Sequence, residues 1–197
     1  SLVRRLRLLG ATGGGERCDF CGAPLPAEHR HVLDLTDRQI RCACQPCHLL
    51  FLPEGAGAGR YRAVPMRIIA FPPGRSARWR EALPGPVDLA FIFFHSAAAR
   101  LVLCYPSPHG VTESTLILDP EVSAELERLL EADVEALLFV PGGATADCFL
   151  VPIDSCYELV GRLRRFARGL DSGLMQEEIE RFVMHLRQTA KLWEGVG

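Results

Sequence analysis

Lysine is almost missing from this chain: of 22 basic residues only Lys191 is not an arginine. No run of basic residues interleaved with aromatics occurs, so the pattern that tracks single-stranded nucleic acid is lacking. No segment approaches the roughly 20 uninterrupted apolar residues of a membrane span, which argues against membrane insertion. The apolar stretch Leu2 to Leu9 is broken by Arg4, Arg5 and Arg7 and runs into glycine-rich sequence, so it does not read as a signal peptide, and a cytoplasmic location is expected. There is no G-x-G-x-x-G, no G-x-x-x-x-G-K-[ST] and no G-x-S-x-G, which removes positive support for dinucleotide binding, nucleoside triphosphate binding and a serine hydrolase elbow. No tandem repeat is present. What the chain does have is 197 residues with 48% hydrophobic and 23% charged, enough to bury a core. That length suits one domain with a small appended module.

Charge divides along the chain. Through residue 80 there are 13 arginines against 6 acids, and from residue 81 onward 9 bases face 18 acids. A basic N-terminal part is compatible with an acidic partner or nucleic acid, but without a basic run interleaved with aromatics it reads first as a solvated arginine-rich surface.

Cysteine is where the chain is rich. Of eight cysteines, five lie at 18, 21, 42, 44 and 47. Cys18-Asp-Phe-Cys21 and Cys44-Gln-Pro-Cys47 are separated by 22 residues, giving C-x2-C-x22-C-x2-C, a metal-type spacing. Each C-x-x-C turn aims two thiolates at one point, and Gly22 permits the positive φ such a turn requires. Between the pairs, His31 to Leu35 and Gln39 to Cys42 read as a hairpin about Thr36-Asp37. The expectation is a zinc-ribbon-like module over 16–53 with Cys18, Cys21, Cys44 and Cys47 as metal ligands. So small a module has almost no apolar core, so the metal would supply on the order of 10 kcal/mol toward its folding. Nothing in the pattern calls for a disulfide framework.

Other donors crowd the same segment. His29, His31, Cys42 and His48 allow a Cys3His site, a rubredoxin-type iron centre or an iron-sulfur cluster, so Zn and Fe both stay open. Cys42 reads as a buried small hydrophobe sharing a strand face with Cys44, and His29 and His31 as exposed or hydrogen-bonded. Cys44 to His48 also spells C-x-x-C-H, the c-type haem motif, but the perfectly spaced second C-x-x-C pair favours a four-cysteine site.

The remainder predicts an α+β protein: the zinc-ribbon-like module followed by an antiparallel-sheet domain over 61–197 with C-terminal helices. Residues 1–15 read as an N-terminal helix and Gly-rich linker, and Gly55 to Gly59 as a flexible connector. Strands are expected at 61–71, at 89–94 with 100–105, at 115–118, and at 135–140 with 148–153 about Gly142-Gly143. Asp119-Pro120 starts a helix, Ser155 with Glu158 forms a capping box, and a last helix carries Ile179, Phe182, Val183, Leu186 and Trp193 on one stripe. Cys104, Cys148 and Cys156 read as buried thiols. Tyr105 to Ser114 is the most polar loop, with His109, Glu113 and Ser114 close in sequence, though no orienting partner marks it as catalytic.

Taken together, Cys18-Asp-Phe-Cys-Gly-Ala-Pro-Leu-Pro26, His29-Arg-His31, Cys42-Ala-Cys-Gln-Pro-Cys47, Pro86 to Ala90, Tyr105-Pro-Ser-Pro, Asp133-Val-Glu-Ala-Leu137 and Leu150 to Tyr157 resemble an uncharacterised, mainly actinobacterial family. Its members are encoded beside the genes of high-affinity uptake [NiFe] hydrogenases. The resemblance implies a non-enzymatic accessory protein for hydrogenase assembly or maturation, whose protein partner is a hydrogenase subunit or another maturation factor. It assigns no catalytic residue. An iron protein of electron transfer or oxidative protection, and a nucleic-acid-binding ribbon, are the alternative readings.

Overall fold

A computed structural model describes residues 15–85, 88–107, 109–141, 148–166 and 172–194. The expected N-terminal helix over 1–15 and the Gly142-Gly143 turn lie outside them, apart from Gly15. The chain divides into two compact units, Ser1–Pro65 and Met66–Gly197.

In the first unit, β1 (Arg30–Asp34) and β2 (Gln39–Ala43) form the expected antiparallel hairpin, with His31 opposite Cys42 and Val32 opposite Arg41. A five-residue helix, α1 (Gln45–Leu49), follows at once. The sheet has a third strand that local pattern did not assign here. Strand β3 (Tyr61–Ala63) pairs antiparallel with β1, so the order is β2-β1-β3. The unit therefore runs to Pro65, beyond the boundary expected near 53, and the 61–71 strand is two strands in two sheets. The glycine run 55–59 is not an open connector. It coils in turns closed by Gly59 N–H to Gly55 O and Arg60 N–H to Gly57 O, delivering Tyr61 beside Phe51.

The second unit holds a seven-stranded sheet of order β10-β4-β9-β8-β5-β6-β7. Its strands are β4 (Ile69–Ala70), β5 (Ala90–His95), β6 (Arg100–Ser107), β7 (Gly110–Thr115), β8 (Glu135–Phe139), β9 (Cys148–Pro152) and β10 (Lys191–Leu192). All pairings are antiparallel except β10 on β4. Successive residues of a strand face opposite sides. Ile92, Leu103, Leu137, Phe139 and Leu150 pack on α2 (Pro73–Glu81) and α3 (Pro120–Leu129) through Trp79, Val122 and Leu126. From the other side Phe91 meets Tyr157 of α4 (Ile153–Arg164), which packs with α5 (Ser172–Thr189). Helices cover both faces, which is why β8 and β9 are buried at every position instead of alternating.

Local signals held where backbone chemistry set them. Asp119 accepts from Glu121 N–H and Pro120 opens α3. The capping box at Ser155 did not form: α4 begins at Ile153, straight after Pro152, and Asp154 Oδ1 accepts from Ser155 N–H. Trp193 lies past α5 and stacks against Phe71, so it is not on the helical stripe of Ile179, Phe182, Val183 and Leu186. The strand expected at 115–118 ends at Thr115.

Candidate metal centre

The first knuckle is a tight loop whose ends meet at a bridge between Arg17 and Pro24. Cys18 N–H donates to Ala23 O and Gly22 N–H to Cys18 O, both at 2.8 Å, with Gly22 at φ +73° as its position requires. The second knuckle is the start of α1. Cys44 stands at its N-cap with extended backbone, Pro46 sits in the first turn where no N–H is needed, and Cys47 rides one turn in. Asp19 joins the knuckles: its N–H donates to Cys42 O and its Oδ2 accepts from Cys42 N–H, each at 2.8 Å.

The four sulfurs of Cys18, Cys21, Cys44 and Cys47 lie within 4.8 Å of one another, with Cys21 Sγ and Cys44 Sγ 3.6 Å apart. A tetrahedron with metal–sulfur bonds of about 2.3 Å has S···S edges of about 3.8 Å, so the set matches one four-coordinate ion. Cys18 and Cys47 are buried, Cys44 is half-buried and Cys21 exposed. Cys18 and Cys47 pack with Val32 and Ala43, and Phe20, Phe51 and Tyr61 close over this small core with ring centroids 4.7 to 5.4 Å apart. The unit thus has more apolar cover than a bare ribbon.

The electrostatics of the sulfurs suit a cation. Burial pushes the Cys18 thiol up, but the backbone N–H groups of Cys44, Cys21 and Phe20 outweigh it and bring the group down to about 6. Burial, then the sulfurs of Cys44, Cys21 and Cys18, push Cys47 far above the ordinary thiol range. At Cys21 the Ala23 N–H acts downward, yet Cys18 and Cys44 carry the balance upward. One thiolate forms readily and its neighbours resist ionising beside it, a conflict that a divalent cation resolves.

The remaining donors separate. His48 is buried with Nε2 3.1 Å from Val64 O, tying α1 to the segment after β3, and it stands in neither group of converging ligands. Cys42 does not share a face with Cys44, because β2 ends at Ala43 and Cys44 has left the strand to cap α1. It is half-buried and gathers instead with His29 and His31. The C-x-x-C-H segment places Cys44 and Cys47 with the other pair of cysteines, as the spacing required.

In the second unit Cys104, Cys148 and Cys156 are buried as expected. The polar segment 105–114 is a β-hairpin, not a loop: Tyr105 pairs with Thr112 and Ser107 with Gly110. Glu113 and Ser114 are neighbours in β7 and so face opposite ways, and they do not converge with His109 at the turn. Among the described residues, the arginines of the basic half are largely engaged. Arg41 and Arg60 bind Asp34, Arg67 binds Glu135, Arg75 and Arg78 bind Glu125, and Arg30 donates to Gln45.

Fold and site together define an α+β protein with a zinc-ribbon-like four-cysteine module built on a three-stranded sheet. Residues 17–190 match a family of unknown function, DUF5947, and the chain belongs to it. No curated protein and no solved structure matches.

Proposed function

We propose that this chain is a non-enzymatic accessory protein of [NiFe] hydrogenase assembly or maturation, in which a structural Zn2+ on Cys18, Cys21, Cys44 and Cys47 fixes a docking surface for a hydrogenase subunit or another maturation factor. The observation that carries the reading is the closed ligand set: four sulfurs converge on one point, so an ion held there has no position for a substrate. The surface it would fix begins directly after Cys47, where Leu49, Leu50 and Leu52 are 49%, 68% and 58% exposed. Apolar side chains grouped in this way favour a protein partner. Since most of the described arginines of the basic half already have acidic or polar partners, the leucines support docking better than the charge does. The metal supplies crosslinking and charge neutralisation for the knuckles, while Asp19 and the aromatic trio hold the geometry around them.

The test is a deletion strain complemented with the wild-type chain or with Leu49→Asp/Leu52→Asp. Loss of assembled hydrogenase in the deletion and in the double variant is expected, and full assembly without the gene overturns the reading. Exposure of Cys21 favours one competing reading, iron in electron exchange, because that sulfur reaches solvent. Elemental analysis with a visible spectrum on anaerobically purified protein separates the two. Zinc without a visible band supports a structural site, and iron with thiolate charge-transfer bands supports redox work.

A further inference from the structure

We propose that His29, His31 and Cys42 form a second metal site, separate from the four-cysteine centre, that takes a late first-row divalent cation such as Zn2+ or Co2+ through three protein ligands and leaves one coordination position open. One ligand atom from each residue lies within 4.8 Å of the other two. The pairing of β1 with β2 creates this convergence. His31 stands directly opposite Cys42, so their side chains leave the same face of the hairpin, and His29, just ahead of β1, brings its ring against that of His31. That face is the other one from Val32 and Ala43, which pack with Cys18 and Cys47. Each face of one hairpin therefore carries its own donor set.

His29 supplies the independent observation. Its side chain is only 7% exposed, and its ring meets His31 edgewise with centroids 4.8 Å apart. Its Nδ1 lies 3.1 Å from Pro26 O and 3.4 Å from a Glu16 carboxylate oxygen. Both neighbours are acceptors, so in the neutral ring Nδ1 carries the proton and the lone pair is on Nε2. That Nε2 is buried with no hydrogen-bond partner. A buried imidazole with one nitrogen oriented by a carbonyl and a carboxylate and the other without a partner, grouped with a second imidazole and a thiol, is arranged as metal-ligating histidines are. Two imidazoles and a thiolate suit borderline metals, not Mg2+ or Ca2+. On binding, the Cys42 thiol proton passes to solvent. With three protein ligands the fourth position falls to water or an exogenous donor, unlike the closed four-sulfur set. The Asp19 clamp on the Cys42 backbone ties the new site to the first knuckle.

The experiment titrates the full, chelator-stripped chain with Co2+ alone and follows d–d and sulfur-to-cobalt absorption. Two equivalents per chain are expected, the second with weaker charge-transfer intensity because it has one sulfur in place of four. Cys42→Ala and His31→Ala should lose the second equivalent and keep the first, and Glu16→Gln should weaken the second step by about tenfold to hundredfold. Saturation of the wild type at one equivalent, or a second equivalent indifferent to all three substitutions, overturns the proposal. Since a variant can misfold, 113Cd resonance on the wild type is decisive alone: two signals of different sulfur content support the site, and a single signal overturns it. Failure of the four-cysteine reading would look different, as loss of the first, sulfur-rich signal.

Discussion

In the larger unit Phe91, Ile92, Leu137, Phe139, Phe149 and Leu150 are fully buried between two layers of helices. In the smaller unit the cluster around the knuckles has only Val32 and Ala43 as buried aliphatic members beside Cys18 and Cys47, with partly buried rings above them. The first arrangement draws its stability from apolar area removed from water, which needs no cofactor. The second has less such area, with Leu33, Ala63 and Val64 as its other buried aliphatics, and it concentrates donors: four converging sulfurs and an ion-pair cluster at Asp34. One chain thus shows two routes to an ordered fold, and they should fail under different conditions.

Metal removal is the strongest way to test that contrast. A chelator, or Cys47→Ser, should withdraw a contribution on the order of 10 kcal/mol from the smaller unit. Amide exchange over 16–65 should then become fast while β5, β6, β8 and β9 stay protected. A common transition for both units would break the comparison.

Next in size is Leu137→Ala in β8, which should cost the larger unit about 3 to 5 kcal/mol by denaturant melting. Metal content should be unchanged. A drop in bound metal would show that the units share one stability.

A smaller effect sharpens the picture of the first unit. The Asp34 side chain is fully buried and accepts from Thr36 N–H, Arg41 and Arg60. The Arg60 guanidinium, against the opposing effect of burial and with help from Thr36 N–H and Arg41, holds its carboxyl down from 3.8 to about 2. Because the folded value is depressed, the stabilisation is complete above the unfolded value and is lost as pH falls through about 2. Asp34→Ala should therefore cost about 2 kcal/mol, with the same penalty at every pH from 5 to 8, since both arginines can regain water. A penalty that changes across that window would place the titrating group elsewhere.

The parts of the fold legible in the sequence were those set by residues close together. The C-x-x-C spacing, Gly22 at positive φ, the 30–43 hairpin and the Asp119-Pro120 start each depend on a few neighbouring positions. The strand Tyr61–Ala63 was misplaced because its partner is β1, some 30 residues earlier, and nothing local states which sheet an extended segment joins. The hairpin over 105–114 was hidden by Pro106, Pro108 and Gly110, which look like a loop until the pairing of Pro106 with Val111 is known. Cys42 illustrates the same limit: simple alternation runs on to Cys44, yet β2 ends at Ala43 and Cys44 already caps a helix, so the sequence names the donors His29, His31 and Cys42 without showing that they meet.

The pairing of β10 with β4 carries a consequence for how such a chain can be rearranged. Lys191 lies beside Ile69, so the first and last strands of the larger unit are neighbours in its sheet. Because the pair is parallel, joining them takes a crossover linker of about a dozen residues, and new termini opened elsewhere then give a circular permutant that preserves the sheet order. The cysteine-bearing unit ends at Pro65, so the chain can be cut there to give one continuous cassette for grafting the four-cysteine set onto another scaffold.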